Sequence, residues 1–212
     1  MILYGSSLSP YVRKTLAYAA EKGIQLESKP TAFNSSDPGF IAASPFRKIP
    51  AFSDGDFSIC DSTAIITYLE AKFPEPPMLP HEPQSRARTV WYEEFADTIL
   101  IGCMGKMFFN RFVSPRFLGR PGDDAVADKA EKEELPPILA YIERIMPDSG
   151  FLVDDRLTLA DLAVASPFVN MMHIGIRPDP DQLPKTAAFV DKMHARASFA
   201  PIIAAEKVIV GG

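Results

Sequence analysis

Cysteine is nearly absent: the 212-residue chain has two, Cys60 and Cys103. They form no CxxC pair and no zinc-type spacing, so no disulfide framework is expected and a reducing compartment is implied. Histidine is almost as scarce. His81, His173 and His194 are scattered, and zinc needs three or four closely placed ligands, so no metal is expected. Basic blocks are missing as well. Twenty-two Lys and Arg stand against 27 Asp and Glu, for a net charge of −5, which argues against nucleic acid as a partner. No long apolar run exists. The richest stretch, "FADTILIGCMGKMFFNRFV", is broken by Asp97, Lys106 and Arg111; it reads as a buried helix, not a membrane span. The opening "MILYG" lacks a charged start followed by an apolar stretch, so no signal peptide and a cytoplasmic location are expected.

Proline, by contrast, is plentiful, and five of the 20 crowd into "FPEPPMLPHEP", residues 73–83. Proline can neither continue a helix nor join a central strand, so this stretch separates two regions. Hydrophobic residues make up 47% of the chain and charged ones 23%, enough for a real core. Before the proline stretch, strand and helix signals alternate. "ILY" is a short apolar strand; residues 10–22 form a helix stopped by Gly23. "IQLESKP" is a second strand, and residues 31–47 are loop. "IPAF" and "FSIC" are strands joined across Asp54-Gly55, and residues 62–73 are a helix. This order predicts an α/β sandwich of thioredoxin type. After the proline stretch every long segment is helical, near 84–113, 125–146, 158–174, 183–194 and 199–206. The expected organisation is α/β plus all-α: a thioredoxin-like domain at 1–77, a linker at 74–83 and an all-helical domain at 84–212.

Three short segments carry chemistry. In "SSLSPYVR", Ser9 precedes Pro10, the favoured pairing for a helix start. The hydroxyl either caps the helix or, in the positive field of its N-terminus, donates to an anion. No histidine base lies nearby, so Ser9 is not a nucleophile. Its useful work is to stabilise a thiolate supplied by a ligand, because a hydrogen bond to the charged form lowers the thiol pKa. In "FRKIPAF", Pro50 opens a short strand. It is either an ordinary edge proline or a cis bond that leaves the backbone N–H and C=O of Ile49 facing outward for a peptide-like ligand. Lys48 beside it either meets a carboxylate or is simply solvated. In "CDSTAIITYLEAKFP", Asp61 or Ser62 caps a helix, or Ser62 holds a carboxylate and Asp61 an amine. One ligand satisfies all three segments: a short peptide with a thiol, a carboxylate at each end and a free amine. Glutathione fits that description.

"SPYVRKTLAYAAEKG", "SPFRKIPAF" and "DSTAIITYLEAKFP" resemble the N-terminal half of the soluble glutathione transferases, in a serine-type, bacterial-like form. "LTLADLAVASPF" and "LPKTAAFVDKMHARASFAPI" resemble the C-terminal half, and the five segments come in the family's order. The resemblance implies that the first domain binds glutathione and the second supplies most of the pocket for a small hydrophobic electrophile. Ser9 matches the active-site serine, Pro50 the cis-proline, Lys48 and Ile49 the contacts to the glycyl carboxylate and cysteinyl backbone, and Asp61 and Ser62 the pair at the γ-glutamyl end. Thr158 and Asp161 match a structural capping pair. "SSLSPYVR" is also similar to "SSCSWRVR" of the zeta class, which nominates Ser6 as the alternative and makes Leu8 a departure. Serine stands where omega-like thiol transferases have cysteine, so disulfide exchange is not expected.

Tyr11 and Phe108 lead the pocket candidates, with Phe33, Trp91, Phe95, Phe109 and Phe112 behind them; aromatics at helical spacing are as readily core. Arg13 either strengthens the field near the sulfur or is solvated. Pro136 and Pro137 fall where the family usually runs an unbroken helix, so the pocket wall there is expected to differ in shape, and Pro167 is expected to kink the next helix. The family further implies a homodimer and a role in detoxification. Two other functions share the scaffold: a glutathione-dependent isomerase or ether-cleaving enzyme, and a non-catalytic regulatory or scaffold protein.

Overall fold

Strand pairing begins with the first residues of the chain. In the computed structural model, which describes residues 1–32 and 34–211, β1 (Ile2–Tyr4) leads through a turn into α1 (Pro10–Glu21), β2 (Glu27–Lys29) and a short helix α2 (Pro38–Ala43). The hairpin strands β3 (Ala51–Asp54) and β4 (Phe57–Cys60) follow, closed by α3 (Ser62–Lys72). The sheet order is β2-β1-β3-β4, with β1 parallel to β2 and antiparallel to β3. Alternation along the strands divides the core. Tyr4 and Ala51 cluster with Phe40 and Ala43 of α2. Leu3 and Phe52, paired across β1 and β3 and fully buried, point to the other face. Each such buried phenylalanine contributes about 2 kcal/mol of transfer free energy.

The helix α2 falls inside residues that read as loop. Its signals are local: Asp37 caps it through Phe40 N–H at 2.9 Å, and Pro38 sits in its first turn. Gly23 does end α1, with φ +67. The chain's exit from α3 is held by Glu70. Its Oε1 accepts from the N–H groups of Met78 and Leu79, both at 2.9 Å; its Oε2 accepts from Lys22 Nζ at 2.6 Å and from the Tyr18 hydroxyl.

The chain divides into two compact units, one comprising Met1–Leu79 with Arg196–Gly212 and the other Pro80–Ala195. The last helix, assigned by periodicity to the helical region, thus folds with the sheet. Arg196 and Ser198 bond Glu21 at the end of α1, and Glu206 meets Arg13 in its first turn.

The second unit is entirely helical apart from one isolated bridge. Residues 83–117 run as α4 (Pro83–Glu94), α5 (Ile101–Phe108) and α6 (Ser114–Phe117), joined by π-helical turns at Phe95–Leu100 and Phe109–Val113. Next come α7 (Asp124–Lys129) and α8 (Leu135–Ile145), joined by a third π-helical turn at Ala130–Glu134. Pro136 and Pro137 closely follow that π-helical turn, where the α-helical hydrogen-bond ladder is already interrupted. The buried α9 (Leu159–His173) runs through Pro167 and is followed by α10 (Pro184–His194). In the first unit, α11 (Ala200–Gly211) completes the chain. Thr158 and Asp161 close a capping box on α9, as their spacing predicts. The chain therefore joins a thioredoxin-like mixed sheet to an all-helical unit.

Candidate functional site

Register assembles the site. Tyr4 pairs with Ala51, and Ala51 with Cys60. The residues just beyond these three positions therefore lie at one end of the sheet: Gly5–Ser9, Ile49–Pro50 and Asp61–Ser62. Gly5 makes the approach possible. Its φ is +140, and a Cβ there would stand 2.7 Å from Val12 Cγ2 and 3.1 Å from Ile49 Cβ. Asp61 N–H donates to Pro50 C=O at 3.3 Å, tying the second and third segments together.

The two serines have different tasks. Ser6 Oγ accepts from Leu8 N–H at 3.4 Å, and Ser6 C=O accepts from Ser9 N–H at 3.0 Å, so Ser6 shapes the turn. Ser9 occupies the N-cap of α1, with its C=O accepting from Arg13 N–H at 3.0 Å, yet its hydroxyl makes no capping hydrogen bond. Pro10 at the first helical position has no N–H to offer. A half-buried hydroxyl is left at the positive end of a helix.

The Ile49–Pro50 bond is cis. Among the described residues, neither the N–H nor the C=O of Ile49 has a backbone hydrogen-bond partner. Ser44 fixes the preceding residue: its Oγ accepts from Lys48 N–H and donates to Lys48 C=O, both at 2.8 Å. The Lys48 side chain is exposed.

Asp61 has φ +83, a strained value for an aspartate, and such outliers concentrate at ligand clamps. Its Oδ1 accepts from Thr63 N–H at 2.9 Å and Ala64 N–H at 3.1 Å, capping α3. Ser62 opens that helix and is 2% exposed. Two helix N-termini, those of α1 and α3, thus adjoin one unengaged stretch of backbone, which suits an extended anionic peptide.

The pocket candidates are dispersed. Tyr11 is half-buried in the first unit. Phe108 is 8% exposed in the second and stacks on Phe112 at 5.0 Å; Phe112 meets Phe117 edge-on at 5.7 Å. Phe95 packs on Tyr141 at 5.1 Å, Trp91 donates to the Tyr141 hydroxyl at 3.3 Å, and Phe109 is exposed. Phe33 lies outside the described residues. Arg13 is neither solvated nor a free cation: both it and Glu206 are fully buried as a bidentate pair. Cys103 is buried, and burial pushes its thiol up to about 11, which makes it unreactive. Among the described residues no group of three His, Cys, Asp or Glu side chains is placed to hold a metal, and no helix is long and apolar enough to cross a membrane.

Comparison with known proteins gives the family. Residues 3–77 fit the family profile "Glutathione S-transferase, N-terminal domain", and residues 116–204 fit "Glutathione S-transferase, C-terminal domain". A glutathione S-transferase of Hyoscyamus muticus is 30% identical over 209 residues, 96% of this chain and 97% of that one. The chain belongs to the glutathione S-transferase family. A glutathione S-transferase III structure in its apo form is 30% identical, with a TM-score of 0.80 over 96% of this chain and 95% of that one. A glutathione S-transferase from Methylobacterium radiotolerans, solved in complex with glutathione sulfonate, is 28% identical; its TM-score is 0.76 over 95% and 93% of the two chains.

Three contributors escaped the sequence reading. Ser44 looked like an ordinary loop serine, although a serine before proline is a turn signal. Gly5, directly after a strand, carried the hint of a close approach. Glu206 left no signal at all.

Proposed function

We propose that this protein is a glutathione transferase that ionises bound glutathione and joins its sulfur to small hydrophobic electrophiles. The observation that carries this reading is the Ser9 hydroxyl, which sits at the N-terminus of α1 and makes no capping bond. It donates a hydrogen bond to the glutathione sulfur, and the helix field adds to it, so the thiol loses its proton to solvent below its usual pKa of about 8.5. The thiolate then forms a carbon–sulfur bond. The electron pair displaced at the electrophile leaves with a leaving group or is protonated from water. Holding both reactants together supplies the rest of the acceleration.

The peptide lies extended across the sheet end. Its cysteinyl backbone pairs with the N–H and C=O of Ile49 beside Pro50, its glycyl carboxylate meets Lys48, and its γ-glutamyl end meets Ser62 and Asp61. The unengaged backbone of Ile49 and the two adjoining helix starts support this pose. The complex of the Methylobacterium radiotolerans relative with glutathione sulfonate supports the ligand class. Tyr11, two residues from Ser9, contributes to the electrophile site.

The protein acts as a cytoplasmic homodimer in detoxification. Both cysteines are free thiols, in keeping with a reducing compartment. The test is a titration with glutathione followed by the ultraviolet absorbance of the thiolate. The reading requires saturable binding with the bound thiol about one to two pK units below the free one. Absence of binding moves the assignment to a non-catalytic protein of this fold.

A further inference from the structure

A half-open cavity of about 170 Å³ lies in the helical unit, lined by α9, α10 and the loop that joins them. Phe168 and Met172 of α9 and Val190 of α10 give it an apolar floor, and Ile176 and Pro178 of the loop form its wall. None of these residues belongs to the constellation around Ser9, Ile49 and Asp61.

The wall is built before any ligand arrives. Gly175, with φ +80, ends α9, and Ile176 N–H turns back to Met171 C=O at 2.9 Å. Asp179 organises the next turn. Its carboxylate accepts from Asp181 N–H and Gln182 Nε2, both at 3.0 Å, and its C=O accepts from Leu183 N–H at 2.7 Å. Pro178 and Pro180 fix two further φ angles. A site fixed in this way loses little ordering entropy on binding.

Three polar side chains border the cavity. His194 is tied to α9, its Nε2 standing 3.1 Å from Ala165 C=O. Arg177 and Asp191 differ from it and from Asp179. Among the described residues, neither has a side-chain hydrogen bond or an ion pair, with each other or with any third group. The fold thus sets one cation and one anion at the rim of a small apolar cavity and uses neither.

We propose that this cavity binds a free α-amino acid with an apolar side chain. A space near 150 Å³ accepts about one benzene-sized body, so the side chain enters the cavity. The carboxylate meets Arg177, whose planar fork suits it, and the ammonium meets Asp191. The pairing of charges selects the class. A simple aryl carboxylate would be repelled by Asp191, and a simple amine by Arg177. Because both charges are exposed, binding is in the millimolar range.

The test is a titration of the isotope-labelled full-length protein with L-leucine and L-phenylalanine, read as amide shifts over residues 168–194. 3-Phenylpropanoate lacks the ammonium and 2-phenylethylamine lacks the carboxylate. The proposal requires saturable shifts with the amino acids and at least about tenfold weaker binding of both comparators. It also requires Arg177→Gln and Asp191→Asn each to weaken L-phenylalanine binding at least about tenfold while glutathione binding stays unchanged. Both side chains are exposed and unbonded, so both variants fold. The proposal is overturned if no saturable shift appears up to about 20 mM, if a comparator binds as well, or if either variant binds normally. Because these readouts are independent of glutathione, failure here leaves the transferase reading intact, and the reverse holds too.

Discussion

Arg13 and Glu206, 193 positions apart, face each other through two hydrogen bonds of 2.9 and 2.8 Å, with neither side chain exposed. Burial lowers the Arg13 pKa, and Glu206 opposes that shift by charge and by hydrogen bonding. Removing one partner strands the other. Glu206→Ala should cost about 3–5 kcal/mol in urea unfolding, whereas the double replacement Arg13→Met with Glu206→Leu should cost far less. Equal losses in the two variants would show that packing, not charge, dominates the contact.

Ser9→Ala separates capping from catalysis. A capping serine replaced by alanine costs about 0.5–2 kcal/mol, but the Ser9 hydroxyl caps nothing. The variant should keep the parent melting temperature, raise the bound thiol pKa by about one to two units and lower kcat at neutral pH. Ser6→Ala should leave that pKa in place, since Ser6 Oγ serves Leu8 N–H.

Asp61→Asn retains an oxygen that can receive the N–H groups of Thr63 and Ala64, so α3 should remain capped. What it removes is negative charge facing the ligand's amine. We expect KM for glutathione to rise about tenfold with kcat little changed, the pattern of lost uniform binding. A fall in kcat at constant KM would contradict the assigned role.

Asp161 should make stability depend on pH. Burial raises its carboxyl from 3.8 to about 6, outweighing the hydrogen bonds it accepts from Leu152 N–H and Thr158 N–H, both at 2.8 Å. The sign follows from the order of ionisation. As pH rises past the unfolded value, the unfolded chain ionises first, so the stability this group contributes falls from about pH 4 to about pH 6 and is then level. The fall is on the order of 3 kcal/mol. Asp161→Asn should flatten the stability curve in this window, and carbon-13 titration of the side chain should show a midpoint near about 6. A side chain already ionised at about pH 4 would rule this out.

The sequence made some of this legible and hid the rest for physical reasons. The helices α1 and α3 were readable because apolar spacing and the residues at their ends agree. The strand β2 lies within the stretch "IQLESKP" that reads as a strand, but it is shorter. Its residues Glu27–Lys29 are all exposed and polar, so pairing with β1, not alternation, defines it. In α2 the cap and the proline were visible, but six residues are too few to show a period. The three anion-facing segments were found separately, and only the register of Tyr4, Ala51 and Cys60 shows that they lie at one end of the sheet. Arg13 read as a surface or active-site cation because its partner belongs to the last helix. No local pattern encodes such a pairing.

The π-helical turns at Phe95–Leu100, Phe109–Val113 and Ala130–Glu134 bear on how this part of the chain changes over evolutionary time. Each holds about one residue more than a plain α-helical turn of the same span. Deleting that residue would turn the π-helical turn into an α-helical one of the same span, so the helix on either side would keep its facing. A one-codon loss is thus absorbed at the turn itself, and the buried aromatics along residues 83–117 stay buried. Homologues that differ by single-residue gaps here should present the same side chains on the same faces outside the turn.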